Sequence, residues 1–139
     1  MNFNLSRSEC ADILRAANLQ ISSQRIEIYK HLYQNRIHPT ADTLYRSLAT
    51  ENPSLSKTTI YNTLKAFEAH NLLQPLIIED GELRYDVNIA PHAHFKCLKC
   101  GLVMDIFYQE KPRLPEVPAG YQVTEEHICL RGFCPDCHA

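Results

Sequence analysis

Two pairs of cysteines, each with the spacing Cys-x-x-Cys, are the strongest chemical signal in the chain. The first pair is Cys97 and Cys100, and the second is Cys134 and Cys137. Four thiolates can surround Zn²⁺ as a tetrahedron, which is the usual structural zinc site and leaves no open position for a substrate. A redox-active Cys-x-x-Cys motif is the alternative, but two pairs beside turn-forming residues favour zinc. The long stretch between the pairs predicts a site that fastens the end of the chain to an earlier strand.

A second group of residues suggests a different metal. His92 and His94 would lie on the same side of an extended strand, because residues i and i+2 of a strand point the same way. Two converging imidazoles can chelate a metal, and Asp86, Asp105 and His38 are candidate partners. Imidazole with carboxylate is a harder ligand set than four thiolates, and it suits an exchangeable Fe²⁺, Mn²⁺ or Zn²⁺. Histidines with a purely structural role are the simpler alternative.

The composition limits the class of protein. The chain has 139 residues, of which 45% are hydrophobic and 22% charged, with six cysteines and seven histidines. These values are typical of a globular protein with one domain or two small ones. No apolar run suffices to cross a bilayer and no secretory signal is evident, so we expect a cytoplasmic protein with reduced cysteines. The remaining cysteines, Cys10 and Cys129, are expected to pack as small apolar side chains.

Charge is distributed unevenly along the chain. Residues 1–75 carry a net charge of +2, whereas residues 76–139 carry −4. Five of the six cysteines also lie in the second stretch. We therefore expect two halves with different roles, of which the first is better suited to contact a polyanion.

The first half has the pattern of four helices. Apolar residues recur at helical spacing, and a polar residue that can cap a helix precedes each run. The candidate capping residues are Ser6, Ser22 or Ser23, Thr40 and Ser56. Ser6 and Glu9 have the spacing of a capping box. The fourth helix is expected to end at about His70.

The fourth predicted helix has two different faces. Ile60, Leu64 and Phe67 would pack inward. The opposite face carries hydroxyl, amide and ammonium groups, from Thr58, Tyr61, Asn62 and Lys65. Such a face suits base edges and phosphates in a DNA major groove, although a simple solvated face is the commoner explanation.

Beyond Pro75 the pattern changes to strands. Residues 76–79 and 83–87 predict a β-hairpin around an Asp80-Gly81 turn. Helices followed by a hairpin is the order of a winged helix-turn-helix, in which the last helix enters the DNA groove. Further strands are predicted at 93–97, 102–107, 121–125 and 127–132. Three prolines within residues 108–120 argue against a regular helix there.

Together these motifs resemble the ferric uptake regulator (Fur) family of metal-dependent transcriptional repressors. The resemblance covers nearly the whole chain and depends on residues 23–25, 38–42, 59–64, 84–86, 92–101 and 132–137. It implies an α+β protein with a winged helix-turn-helix DNA-binding domain at residues 1–86. Residues 87–139 would form a small α/β or mainly β dimerisation domain with the four-cysteine zinc site. The implied partner is a double-stranded DNA operator with inverted-repeat half-sites, bound by a homodimer that is neither an enzyme nor attached to a membrane.

Within this family, the chain is most similar to the peroxide-sensing repressors. That branch holds a regulatory Fe²⁺ or Mn²⁺ with three His and two Asp. The matching ligands are His38, Asp86, His92, His94 and Asp105. Asp105 discriminates most, because iron and zinc sensors of the family usually carry Glu there. The resemblance implies that peroxide oxidises a ligand histidine, His38 or His92, after which the metal and then the DNA are released.

The expected mechanism follows from where these ligands lie in the chain. His38 belongs to the helical half, Asp86 to the hinge, and the other three ligands to the second half. An ion bound by all five would fix the two halves relative to each other and so set the spacing of two recognition helices in a dimer. The residues expected to face DNA are Lys57, Thr58, Thr59, Tyr61, Asn62 and Lys65, with Tyr61 and Asn62 as base readers.

Two features depart from the family pattern. Pro91, Ala93 and Glu126 stand where many iron sensors have ligands of a further metal site, so we do not expect that site. The segment that usually forms a dimer helix is shortened here and contains the three prolines.

Three other functions use the same residues. A sensor of Fe²⁺, Mn²⁺ or Zn²⁺ without peroxide chemistry would need the same ligands. A metalloenzyme can activate water with three His and two carboxylates, but no general acid or base stands beside them in the sequence. A metal buffer would bind the ion without any effect on DNA affinity.

Overall fold

The structure, a computed structural model, describes residues 4–36, 38–79 and 81–138. It separates into two compact units, Met1–Ile89 and Ala90–Ala139. The first unit contains α1 (Arg7–Ala16), α2 (Ser23–Gln34), α3 (Ala41–Ala49), α4 (Lys57–Ala69), β1 (Gln74–Glu79) and β2 (Glu82–Asp86). The second contains β3 (Ala93–Cys97), β4 (Val103–Ile106) and β5 (Cys129–Gly132). Among the described residues, no helix has the length and apolar character needed to cross a membrane.

Polar caps begin helices α1 to α4 where the sequence predicts them. Ser6, Ser22, Thr40 and Ser56 each accept a hydrogen bond from the backbone N–H three residues further on. The Ser6 N–H also donates to Glu9 Oε2 at 2.7 Å, which completes the predicted capping box. These bonds satisfy N–H groups that have no partner inside the helix.

The core of the first unit comes from one face of each helix. Its fully buried members include Leu14 of α1, Ile28 and Leu32 of α2, Leu44 of α3, and Ile60, Leu64 and Phe67 of α4. The ring of Tyr29 meets the ring of Phe67 edge-on, with centroids 5.7 Å apart. The inward face predicted for the fourth helix is therefore confirmed. Cys10 is also fully buried in this core, as expected of a small apolar side chain.

Strands β1 and β2 form the predicted antiparallel hairpin. Leu76 lies opposite Arg84, and Ile77 lies opposite Leu83. Of the predicted turn, Asp80 lies outside the described residues. Gly81 has φ +79°, a left-handed conformation that glycine adopts without steric cost.

The described strands of the second unit form one sheet, in the order β4-β3-β5. Strand β4 is antiparallel to β3, and β5 is parallel to it. The strands predicted at 93–97, 102–107 and 127–132 are present, the last two with shorter ends. Residues 108–120 form no helix, as their prolines predict.

The prediction of a strand at residues 121–125 is wrong. Residues 107–128, all of them described, form neither helix nor strand. The alternation of Tyr121 and Val123 resembles a strand, but these side chains are 72% and 51% exposed. Alternation of apolar and polar side chains gives a segment two different faces, but a strand also needs a neighbouring strand for its backbone hydrogen bonds. No described strand pairs with residues 121–125.

The register of the second sheet places candidate metal ligands on one face and apolar side chains on the other. One row across the sheet is Asp105, His94 and Cys129, and the next is Met104, Phe95 and Leu130. Neighbouring residues of a strand point to opposite faces. One face therefore carries an imidazole beside a carboxylate. The other carries an apolar row, in which Met104 and Leu130 are 48% and 53% exposed.

Candidate metal centres and nucleic-acid interface

The four predicted zinc ligands meet at one end of the second sheet. Cys97 ends β3 and lies beside Gly132, the last residue of β5, so both cysteine pairs follow strands that end together. The four Sγ atoms all lie within 4.8 Å of one another. Cys100 Sγ and Cys134 Sγ are 3.8 Å apart. A tetrahedral zinc site with Zn–S bonds of about 2.3 Å separates its sulfur atoms by roughly 3.8 Å, so the spacing fits Zn²⁺.

The electrostatics of this cluster also favour a cation. Hydrogen bonds from the backbone of Cys100 and Cys134 lower the pKa of the Cys97 thiol to about 6. The Cys134 N–H donates to Cys97 Sγ at 3.4 Å. In contrast, a hydrogen bond with Cys134 raises the pKa of Cys137 to about 12. One thiolate is thus stabilised by the backbone, whereas four together require the charge of a metal.

The first unit brings two predicted regulatory ligands together. His38 Nε2 and Asp86 Oδ2 are 3.4 Å apart, and both side chains are buried. His38 has φ +54°, a left-handed conformation that is strained for a residue other than glycine. Strand β2 stabilises this conformation, since Arg84 donates to the His38 carbonyl at 3.2 Å and the Tyr85 N–H donates to the Pro39 carbonyl at 3.0 Å. The same strand therefore supplies Asp86 and holds the backbone of His38.

The second unit brings the other three ligands together. Asp105 Oδ1 lies 3.3 Å from Nε2 of His92 and 3.3 Å from Nε2 of His94. Both imidazoles are buried, and their centroids are 4.5 Å apart. The β3–β4 register explains this proximity, because His94 and Asp105 are direct cross-strand neighbours. Two Nε2 atoms thus converge on one carboxylate oxygen, an arrangement that can bind a divalent cation.

The remaining nitrogens of the two rings have different surroundings. His92 Nδ1 lies 2.7 Å from the carbonyl oxygen of Ala90. His94 Nδ1 lies 3.1 Å from Nε2 of His127, a residue to which the sequence assigned no role. The ring of Phe107 stacks on the ring of His92, with centroids 5.5 Å apart. No local signal marks His127, because it reaches His94 through the pairing of β3 with β5.

Four of the six predicted DNA contacts lie on the exposed side of α4. They are Thr58, Tyr61, Asn62 and Lys65. Tyr61 is 45% exposed although its ring is large and mostly apolar. This face is accessible and offers an amide, two hydroxyls and an ammonium group.

The other two predicted contacts have partners within the unit. Thr59 is half-buried, and its hydroxyl lies 2.9 Å from the hydroxyl of Ser56, where the helix begins. The Lys57 ammonium lies 3.6 Å from the Asp42 carboxylate and 5.6 Å from the centroid of the Tyr45 ring. Thr59 therefore has a role in capping the helix, and part of the charge of Lys57 is compensated locally.

Comparison with known proteins finds similar sequences along most of the chain. The model of the ferric uptake regulator family matches residues 16–131. The peroxide-responsive repressor PerR of Staphylococcus aureus is 34% identical over 127 residues, which cover 89% of this chain and 86% of the relative.

Solved structures share the fold. The Helicobacter pylori ferric uptake regulator Fur, described with three functional metal binding sites, has a TM-score of 0.72 at 18% identity. The match covers 100% of this chain and 98% of that protein. PerR from Streptococcus pyogenes, described in terms of peroxide sensing and gene regulation, has a TM-score of 0.53 at 28% identity. That match covers 96% of this chain and 94% of the other.

The cysteine cluster gives a first prediction. Cys97→Ser should lose its zinc, because a hydroxyl is a poor replacement for the thiolate that the backbone stabilises. Cys129→Ser is the matched control, since Cys129 lies in the same unit but outside the cluster. Elemental analysis after dialysis against a weak chelator should find one zinc per chain in the wild type and in Cys129→Ser, and almost none in Cys97→Ser. A full equivalent in Cys97→Ser would exclude the assignment.

Proposed function

Because the chain belongs to the ferric uptake regulator family, we propose that it is a metal-dependent DNA-binding repressor that responds to peroxide. The observation that carries the proposal is the ligand set, three His and two Asp in two clusters, with Asp rather than Glu at position 105. The identity to the peroxide-responsive repressor of S. aureus supports the same branch.

The chemistry of the donors supports one shared regulatory ion. Of the predicted ligands, the first unit supplies His38 and Asp86, and the second supplies His92, His94 and Asp105. Two donors alone bind a divalent ion weakly, whereas five donors of nitrogen and oxygen suit Fe²⁺ or Mn²⁺. We assign all five to a single ion and the four cysteines to a structural Zn²⁺.

In this proposal the regulatory ion links the two units and thereby controls DNA binding. The first unit carries the DNA contacts, and the ion fixes its arrangement relative to the second. Metal and DNA then favour the same conformation, so each increases the affinity of the protein for the other.

The DNA-binding part of the proposal assigns α4 as the recognition helix. Four helices followed by the β1–β2 hairpin is the order of a winged helix-turn-helix, which places its last helix in the major groove. The Asn62 amide can pair with an adenine edge, and Tyr61 can contact bases beside it. Lys65 is assigned to a phosphate, which fixes position without reading sequence.

The second unit is assigned to the homodimer. Its sheet carries the apolar row of Met104, Phe95 and Leu130, in which Met104 and Leu130 are about half exposed and Phe95 is half-buried. Exposed apolar surface of this kind is typical of interaction sites. A dimer with two-fold symmetry presents two recognition helices to inverted-repeat half-sites.

The response to peroxide is assigned to a ligand histidine. Bound Fe²⁺ would supply the reactivity toward the O–O bond of H₂O₂. One peroxide oxygen is inserted into a ring C–H bond of His38 or His92, and the other leaves as water. The imidazole is thus oxidised by two electrons and the peroxide is reduced by two. The altered ring binds the ion more weakly, so the metal and then the DNA are released.

Substitutions on α4 test the DNA interface. With Mn²⁺ bound, and with an operator selected in vitro, Asn62→Ala should lose about 1–3 kcal/mol of operator affinity and relax the preference at one base pair. Lys65→Ala should instead weaken operator and unrelated DNA equally and reduce the salt dependence of binding. Fluorescence anisotropy measures both, and addition of a chelator should abolish specific binding. Unchanged base preference in Asn62→Ala would exclude it as a base reader.

Mass spectrometry tests the peroxide response. After Fe²⁺-loaded protein is treated with H₂O₂, tryptic peptides should carry one added oxygen at His38 or His92. Peptides with His31 and His70 serve as internal controls, and protein loaded with Mn²⁺ should gain none. Metal-dependent DNA binding without added oxygen would contradict peroxide sensing and leave a metal sensor of the same family.

A further inference from the structure

We infer that His127 is a positioning residue for the regulatory metal site, where it accepts a hydrogen bond from Nδ1 of His94 and so directs Nε2 toward the ion. This inference depends on the proposed function, because it assumes that His94 binds metal. It goes beyond the ligand set, which does not include His127.

The geometry shows which nitrogen of each ring is directed toward the ion. Nε2 of His92 and Nε2 of His94 both face Oδ1 of Asp105, at 3.3 Å each. A nitrogen that binds a metal carries no proton, so the proton of each neutral ring must reside on Nδ1. Each Nδ1–H then needs an acceptor on the side of the ring away from Asp105.

His92 and His94 meet this requirement in different ways. Nδ1 of His92 lies 2.7 Å from the Ala90 carbonyl, which can only accept, so this contact fixes the proton on Nδ1. Nδ1 of His94 lies 3.1 Å from Nε2 of His127, within hydrogen-bonding distance. His127 therefore accepts through Nε2 and carries its own proton on Nδ1.

The sheet explains why a side chain acts as the acceptor for His94. His94 lies within β3, and its N–H donates to the Ile128 carbonyl at 2.9 Å. That bond places His127, the preceding residue, beside the His94 ring. Backbone carbonyls along β3 face β4 and β5 in the ladders rather than the imidazole. The path of the chain into β5 thus brings a second imidazole to the position where an acceptor is needed.

The type of acceptor has a consequence for charge. Metal-bound histidines commonly donate to a carboxylate or a carbonyl, which sets the ring orientation and increases the basicity of the ligand. A neutral imidazole orients His94 without adding a further negative charge to a site that already contains Asp86 and Asp105. We therefore expect His127 to contribute affinity through orientation.

Two substitutions separate the hydrogen bond from the packing of the ring. His127→Phe keeps a ring of similar size but removes the acceptor. His127→Gln places an amide oxygen near the position of Nε2 and can still accept. His70→Phe, in the exposed end region of α4, is the matched control for replacing a histidine with phenylalanine.

Titration of the full-length, zinc-containing protein with Mn²⁺ tests the inference. His127→Phe should bind Mn²⁺ about 10–100-fold more weakly than the wild type, as is usual when the outer partner of a ligand is lost. His127→Gln and His70→Phe should stay within a few-fold of the wild type. Zinc content should not change in any of these variants. Thermal unfolding should not change in the two His127 variants, whereas His70→Phe loses the contact of its Nδ1 with the Ala17 carbonyl oxygen, at 2.7 Å. When Zn²⁺ replaces Mn²⁺ at the exchangeable site, NMR should detect the His94 Nδ1–H in the wild type and in His127→Gln, but not in His127→Phe.

The titrations distinguish a failure of the proposed function from a failure of the inference about His127. Wild-type protein that binds no exchangeable Mn²⁺ would overturn both the proposed function and this inference. Wild-type binding that is unchanged in His127→Phe would overturn the inference alone. Equal losses in His127→Phe and His127→Gln would also overturn it, since His127 would then act as a direct ligand or through packing.

Discussion

The number of donors that a divalent cation requires is the constraint on which the proposed function depends. Imidazole and carboxylate ligands are weak individually, and an ion is held firmly only when several converge. The proposed regulatory ligands are divided between two compact units, with two in the first and three in the second. If one ion takes all five, its binding cannot be separated from the arrangement of the two units. In the proposed function, the control of DNA binding follows from that division.

The two metal centres have donors suited to different tasks. Four thiolates enclose Zn²⁺ completely and hold it permanently, so the cysteine cluster stabilises the end of the small second sheet. Mixed imidazole and carboxylate ligands bind more reversibly, and His38 depends on a strained backbone that β2 stabilises through Arg84 and Tyr85. An exchangeable site is what a sensor requires, because its occupancy must change with conditions.

The sequence predicts those features that depend on local spacing. The helix caps, the inward face of α4, the β1–β2 hairpin and the Cys-x-x-Cys pairs each involve a few neighbouring residues, and the structure has all of them. The contact between His94 and His127 was not predictable, because it requires the parallel pairing of β3 with β5. The strand expected at 121–125 failed for a related reason, since alternation of side chains does not provide a partner for the backbone.

The most direct test of the shared ion is the number of exchangeable Mn²⁺ ions bound per chain in wild type, His38→Ala, His94→Ala and the double variant. If the two units share one ion, the wild type should bind one Mn²⁺, either single variant should lose it, and the double variant should show no additional loss, because the substitutions act on one site. Two ions in the wild type, each removed by a different substitution, would contradict it. Such a result would show that the two units bind metal separately, and that no shared ion links them.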